Sequence, residues 1–302
     1  MERVLRIAVA AAIVMGAAAA VAGAATTVVG PNVAAMTLVP ADVPSAKTVS
    51  SGRVAKGGYL AAYQRTLKLA TPYGRSAIIG IQSESMLGTS SKQVATDLAV
   101  VQRMYRSRDG RAGFVAGIAA KLHVKPGAVK LSPLRRPRVG DGTVEQPLRI
   151  DLGTARSYES LLYLRLDRVL VLIVTVGTRP IAAADTAALA RLAAVHVRGQ
   201  LVPVDVTVPT ITGTADLGQT LTATPGTWSS DDVVLTYQWQ RCDATGETCS
   251  DIAGETKSTY GVVGADAGST LRVVVTATDR FGTPTAESPV TAPVPVPPPP
   301  AP

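Results

Sequence analysis

Between residues 144 and 176 the chain carries three strand-like segments in direct succession, and this run limits the fold more than any other feature. Residues 144–152 are strand-like, residues 158–166 read as an alternating strand with polar side chains at Glu159, Ser160 and Arg165, and residues 169–176 are apolar but for Thr175. Alternation at a period of two marks a strand with one face buried, whereas a short unbroken apolar run marks a strand buried on both faces. The connections, Asp167-Arg168 among them, are too short for a crossover helix, so the strands pair in sequence and antiparallel. Such a layer needs helices from elsewhere in the chain to cover it.

Those helices are legible upstream and downstream. Residues 59–70 and 75–83 flank Thr71-Pro-Tyr-Gly74, a turn tetrapeptide, and predict a hairpin after a flexible start. Ser90-Ser-Lys-Gln93 is a capping box, and Val94, Leu98, Val101 and Tyr105 then share one helical stripe until Asp109-Gly110 ends it. Residues 114–122 predict a second, shorter helix closed by Lys125-Pro-Gly127, and residues 133–142 an exposed loop. A last helix is predicted over 182–197, with Leu189, Leu192 and Val195 apolar and Asp185 near its positive end. Strands paired in sequence with helices set apart predict an α+β domain, an antiparallel sheet with helices. The element order, with Val139-Gly-Asp141 before the second strand block, resembles the PsbP-like extracytoplasmic domains of bacterial lipoproteins and sensor modules. That resemblance implies a non-enzymatic binding or accessory role.

Composition changes near Asp205, after a stretch holding Pro203 and Pro209, and predicts a domain boundary there. Residues 25–205 carry 24 Lys and Arg against 11 Asp and Glu, and residues 206–302 carry 4 against 10. A basic first domain thus precedes an acidic second one. In the second domain, short alternating runs recur at 219–223, 235–239, 270–276 and 288–291 with turn signals between them, predicting an all-β sandwich over 206–292. Both cysteines, Cys242 and Cys249, lie here, spaced for a disulfide across a hairpin whose turn holds Thr245-Gly246. The segments Gly218-Gln-Thr-Leu-Thr222, Pro225-Gly-Thr-Trp228, Tyr237-Gln-Trp-Gln-Arg-Cys242 and Ala265-Asp-Ala-Gly-Ser-Thr-Leu-Arg272 resemble the bacterial Ig-like domains of secreted and surface proteins in GC-rich Gram-positive lineages. The resemblance covers about residues 209–293. It implies a spacer or adhesive module with Trp239 as the core tryptophan and Asp266 with Gly268 at the corner before the penultimate strand. Residues 293–302 form a Pro-rich tail of polyproline II character.

Arg3 and Arg6, an Ala-rich apolar run and Ala22-Gly23-Ala24 predict a signal peptide over 1–24, so the mature protein is expected to be secreted or associated with the cell envelope. An uncleaved N-terminal anchor is the rival reading. Within an extracytoplasmic protein the 302-residue chain, net charge +8, offers no catalytic constellation. His123 and His196 are the only histidines, and each falls near a predicted helix end, where an imidazole caps carbonyls or meets solvent. No Gly-x-Ser-x-Gly elbow, metal cluster or cofactor motif is present. Asp141, Glu145, Asp151, Glu159 and Asp167 could supply a carboxylate pair, but Asp167 reads as a turn residue and Glu159 with Arg165 as outer-face charges. The expectation is a protein that is not an enzyme and takes no cofactor.

Two basic groups remain: Arg103, Arg106, Arg108 and Arg111 across a helix end, and Arg135, Arg136 and Arg138 in a Pro-framed loop. Guanidinium forks suit phosphate oxygens, so an anionic wall polymer or lipid headgroup is the expected partner, with the Ig-like domain as spacer. Nucleic acid is not expected, since aromatics are sparse and no reader motif is present. The alternative is an accessory or sensor-type module in which the strand-and-helix layer takes another protein or a small apolar ligand.

Overall fold

The apolar segment forms β7 (Val169–Gly177), all nine residues of which are buried. Burial on both faces follows from its place at the centre of a seven-stranded antiparallel sheet, in a computed structural model that describes residues 31–230 and 232–298. The signal segment expected at residues 1–24 lies outside the described residues. Residues 31–200 and 201–298 fall in two separate compact units.

In the first unit β7 is flanked by β3 (Ile78–Gly88) and β6 (Ala155–Leu166). Outside β3 come β2 (Tyr59–Tyr73) and β1 (Ala46–Arg53); outside β6 come β5 (Gly142–Leu152) and β4 (Val129–Leu131). The expected flexible start therefore contains a strand. β1 escaped the periodicity argument because its sequence, Ala-Lys-Thr-Val-Ser-Ser-Gly-Arg, is polar and nearly all exposed, as an edge strand permits. The hairpin turn also falls later than expected, at residues 74–77. Ser76 donates through its N–H and its hydroxyl to the Asp185 carboxylate, at 2.9 and 2.5 Å, and this fixes the turn.

Each face of the sheet is covered. Helices α1 (Ser91–Arg106) and α2 (Arg108–Leu122) pack Val94, Leu98, Tyr105, Phe114 and Ile118 against Leu161, Tyr163, Leu170, Leu172 and Val174. The alternate residues of the same strands face α3 (Ala183–Leu201), where Thr186 reaches Glu145. The buried residues of α3 are Asp185, Thr186, Leu189, Ala190, Ala193, Ala194, Val197 and Leu201, while Val195 is exposed. Asp109-Gly110 does not end the first helix. Ser107, extended, caps α2 by accepting from Gly110 N–H at 3.1 Å, so Asp109 and Gly110 lie in the first turn of the next helix. A Cβ at Gly110 would stand 2.4 Å from the Met104 carbonyl oxygen, which is why glycine occupies the junction.

The second unit contains two antiparallel sheets with a common core. One orders β14 (Thr259–Gly261), β10 (Thr220–Thr224) and β9 (Thr210–Thr212); the other orders β13 (Cys249–Asp251), β12 (Val234–Cys242), β15 (Thr270–Thr278) and β16 (Thr285–Glu287). A short ladder joins β8 (Asp205–Thr207) to β11 (Thr227–Trp228). Trp239, fully buried, stacks on Tyr260 at 5.4 Å and packs with Leu221, Val273 and Val275. Cys242 and Cys249 are directly opposite in the β12–β13 register and form a disulfide. Asp266 accepts from the Tyr260 hydroxyl at 2.8 Å, from the Arg241 guanidinium at 2.7 Å and from Val263 N–H at 2.8 Å, pinning the corner before β15.

Candidate functional site

The register of β3, β7 and β6 places Glu84, Leu172 and Tyr163 in one cross-strand row on the face toward α1, with Met86 and Leu170 in the next row. On α1, Gln93, Asp97, Val100 and Val101 fall within two turns, on the side turned to that row. Between helix and sheet lies a pocket of about 430 Å3, closed at one side by residues 55–59. Its floor is apolar. Its polar groups converge from three elements.

Each polar group is held by a partner that follows from local structure. Ser90 accepts from Gln93 N–H at 3.1 Å, as the capping box requires, but the Gln93 side chain does not fold back onto Ser90. Its oxygen accepts from Thr89 N–H at 2.8 Å, and its amide donates to the Gly58 carbonyl at 2.8 Å and to Asp97 Oδ2 at 3.3 Å. The Tyr59 hydroxyl donates to the same Asp97 oxygen at 2.8 Å. Burial, with Asp97 beside it, holds the Tyr59 phenol well above its ordinary pKa, so it stays a donor. Lys56 Nζ stands 3.0 Å from Glu84 Oε1, an ion pair whose acid is 2% exposed and whose base is 20% exposed.

Tyr163 is 3% exposed, and burial raises its phenol in the same way. Its ring lies 6.4 Å from that of Tyr105. The two phenols influence each other's ionisation, and neither oxygen has a well-formed hydrogen bond among the described residues. An unpaired buried hydroxyl costs about 1–3 kcal/mol, a cost that a ligand able to reach it would remove.

The sequence-predicted arginines lie elsewhere. Arg103 and Arg106 in the last turn of α1, and Arg108 and Arg111 in the first turn of α2, are all exposed on one helix junction. Arg136 and Arg138 are exposed too, whereas Arg135 is not a free cation. Its guanidinium donates to Glu145 Oε1 at 3.2 Å and to the Ile181 carbonyl at 2.8 Å, and its backbone bridges β5 at Glu145. Glu145 is fully buried and also accepts from Ser160 at 2.7 Å and Thr186 at 3.1 Å, so Arg135 serves to neutralise an interior acid.

The carboxylate candidates are dispersed. Glu145 faces α3, while Glu159, offset by three in the β5–β6 register, faces the side of α1 and α2. Side chains on opposite faces of a sheet cannot flank one glycosidic bond. Glu159 is also not an outer-face charge: it is completely buried, because β6 is an inner strand of a sheet covered on both faces. Among the described residues its only hydrogen bond comes from the Ser157 hydroxyl at 3.3 Å, and burial pushes its carboxyl up to about 8. Asp151 pairs with Arg149 and Arg156, and Asp141 accepts from Asp167 N–H at the opposite end of β5. His196 bridges Asp42 at 3.1 Å and the Thr37 carbonyl at 3.2 Å.

Sequence reasoning missed the pocket residues Lys56, Tyr59, Glu84, Asp97 and Tyr163. A signal existed in Gln82-Ser-Glu-Ser-Met86, where a carboxylate is enclosed by a strand with apolar ends. Among the described residues no group of three or more His, Cys, Asp or Glu is arranged to hold a metal ion, and no helix is long and apolar enough to cross a membrane.

No protein-family model matches the chain, and no curated protein matches it. Among solved structures it is similar to the extracellular domain of PknH from Mycobacterium tuberculosis, with 10% identity and a TM-score of 0.34 over 54% of this chain and 94% of that one. A likeness at that level carries no functional information.

Proposed function

We propose that the protein is a non-catalytic, extracytoplasmic binding module whose first unit takes a small, largely apolar ligand between α1 and the sheet. The observation that carries this reading is the pocket itself. Its volume of about 430 Å3 lies within the roughly 300–1,000 Å3 of small-molecule sites, and its apolar floor of Met86, Leu170 and Leu172 is edged by a few fixed polar groups. The disulfide and the Ala22-Gly23-Ala24 signature support export, and the second unit, PsbP-like first unit aside, serves as an Ig-like spacer. The test is binding of N-phenyl-1-naphthylamine, an apolar fluorophore that brightens out of water. Saturable brightening is expected, and it should be lost in Val100→Trp. Val100 lines the pocket yet is 55% exposed, so a larger side chain there fills space without disrupting the core. No brightening, or equal brightening in both proteins, would refute the pocket.

A second reading rests on Arg103, Arg106, Arg108 and Arg111, four exposed cations on one helix junction. They suit a phosphate-bearing wall polymer or anionic headgroups. Binding of the full chain to such material should weaken steeply between low and high salt and fall when the four are neutralised; salt-independent binding would dismiss it.

A further inference from the structure

We propose that the pocket under α1 selects an organic cation, an amine on an apolar body, with its ammonium group at Asp97 and its chain along Met86, Leu170 and Leu172; this rests on the small-ligand reading above. The charges within the pocket are two acids and one base. Lys56 is committed to Glu84, and Asp97, half-buried, is met only by the neutral donors Tyr59 and Gln93, with no cationic partner among the described residues. The pocket therefore keeps one uncompensated negative charge inside a domain that is strongly basic overall. A carboxylate partly withdrawn from water and left without a counter-ion favours a cation there.

Three further observations agree. Tyr163, whose buried hydroxyl has no hydrogen-bond partner among the described residues, also lines the cavity. Tyr59 and Tyr163 both line the pocket, and an aromatic ring attracts a cation that reaches its face through the quadrupole. Both Asp97 and Glu84 act electrostatically on the Tyr59 phenol, so the two acids converge on one region of the pocket. An anionic ligand meets the opposite situation. To reach Lys56 it would have to displace Glu84, leaving a nearly fully buried carboxylate unpaired, which is among the costlier changes a protein interior can undergo.

The test compares n-octylammonium, n-octanol and n-octanoate, all below their aggregation concentrations, as displacers of the fluorophore from the full chain. Octylammonium is expected to bind about tenfold or more tightly than octanol, as a charge-assisted hydrogen bond predicts, and octanoate most weakly. Asp97→Asn should bring octylammonium and octanol to within about twofold of each other while leaving octanol unchanged, with far-UV circular dichroism confirming the fold. Octanol binding with no preference for the amine would overturn the cation assignment and leave the pocket standing. A preference that survives Asp97→Asn would also overturn it. Failure of all three alkyl probes and of the fluorophore would remove both readings together.

Discussion

Glu159 gives the sharpest quantitative prediction, because its carboxyl is fully buried and has a single hydroxyl partner among the described residues. Its pKa is raised from the ordinary 4.5 to about 8 by desolvation. The folded protein thus holds Glu159 protonated at neutral pH, while the unfolded chain ionises it above about 4.5. Stability is fully present below 4.5, falls as pH rises from 4.5 to 8, and is level again above 8. One unit of pKa difference corresponds to about 1.4 kcal/mol, so the loss at pH 7 is about 3 kcal/mol and about 5 kcal/mol above pH 8. Glu159→Gln keeps the shape and remains neutral. The variant should match the parent near pH 4.5 and exceed it by about 3 kcal/mol at pH 7, or roughly 6–12 °C in Tm for a unit of this size. Far-UV circular dichroism at 222 nm is the appropriate readout. Helices α1 and α2 and nearly all of α3 belong to the first unit, whereas Trp228 and Trp239 would report only the second. Parallel stability-versus-pH curves for the two proteins would refute the buried-acid argument.

Removing the Cys242–Cys249 bridge by double serine substitution should cost the second unit about 2–3 kcal/mol, the loop-closure value for so short a span, read by urea unfolding with tryptophan fluorescence. Asp266→Asn withdraws the charge that gathers Tyr260, Arg241 and Val263 N–H, and should destabilise the same transition by about 2–4 kcal/mol. Arg135→Met should cost the first unit about 2–3 kcal/mol at pH 7 by leaving Glu145 without its cation. That loss should shrink in acid as Glu145 protonates, and any salt-sensitive polymer binding should be unaffected.

The sheet was largely legible in the sequence because β5, β6 and β7 follow one another as strand-like segments, β7 as an apolar run, and α1 is marked by its cap and stripe. The cysteine pair followed from local spacing, whereas the buried place of Trp239 was only implied by the Ig-like resemblance. What escaped has a common cause: it depends on which strands become neighbours. Glu159 alternates correctly for an outer face and becomes interior only because β5 and β7 flank it and helices cover the sheet. Arg135 looks like a loop cation until the chain pairs with β5 at Glu145. The pocket is assembled from β2, β3, β6, β7 and α1, with Glu84 and Tyr163 separated by 79 positions in sequence and brought into one row only by the order of the sheet. A one-residue slip in any of those registers would send them to the other face.

Gln93 ties the rim of the pocket to the start of a helix, since its one side chain holds Thr89 N–H, the Gly58 carbonyl and Asp97. Helix ends are the parts of a fold that open most readily, and they do so without disturbing the strands beneath. Fraying of the first turn of α1 would release the Gly58 carbonyl from the Gln93 amide at the same moment, loosening the rim of a pocket whose mouth is already exposed at Val100. Replacing Gln93 is therefore expected to shorten an occupant's stay in the pocket more than it weakens the attraction of the floor.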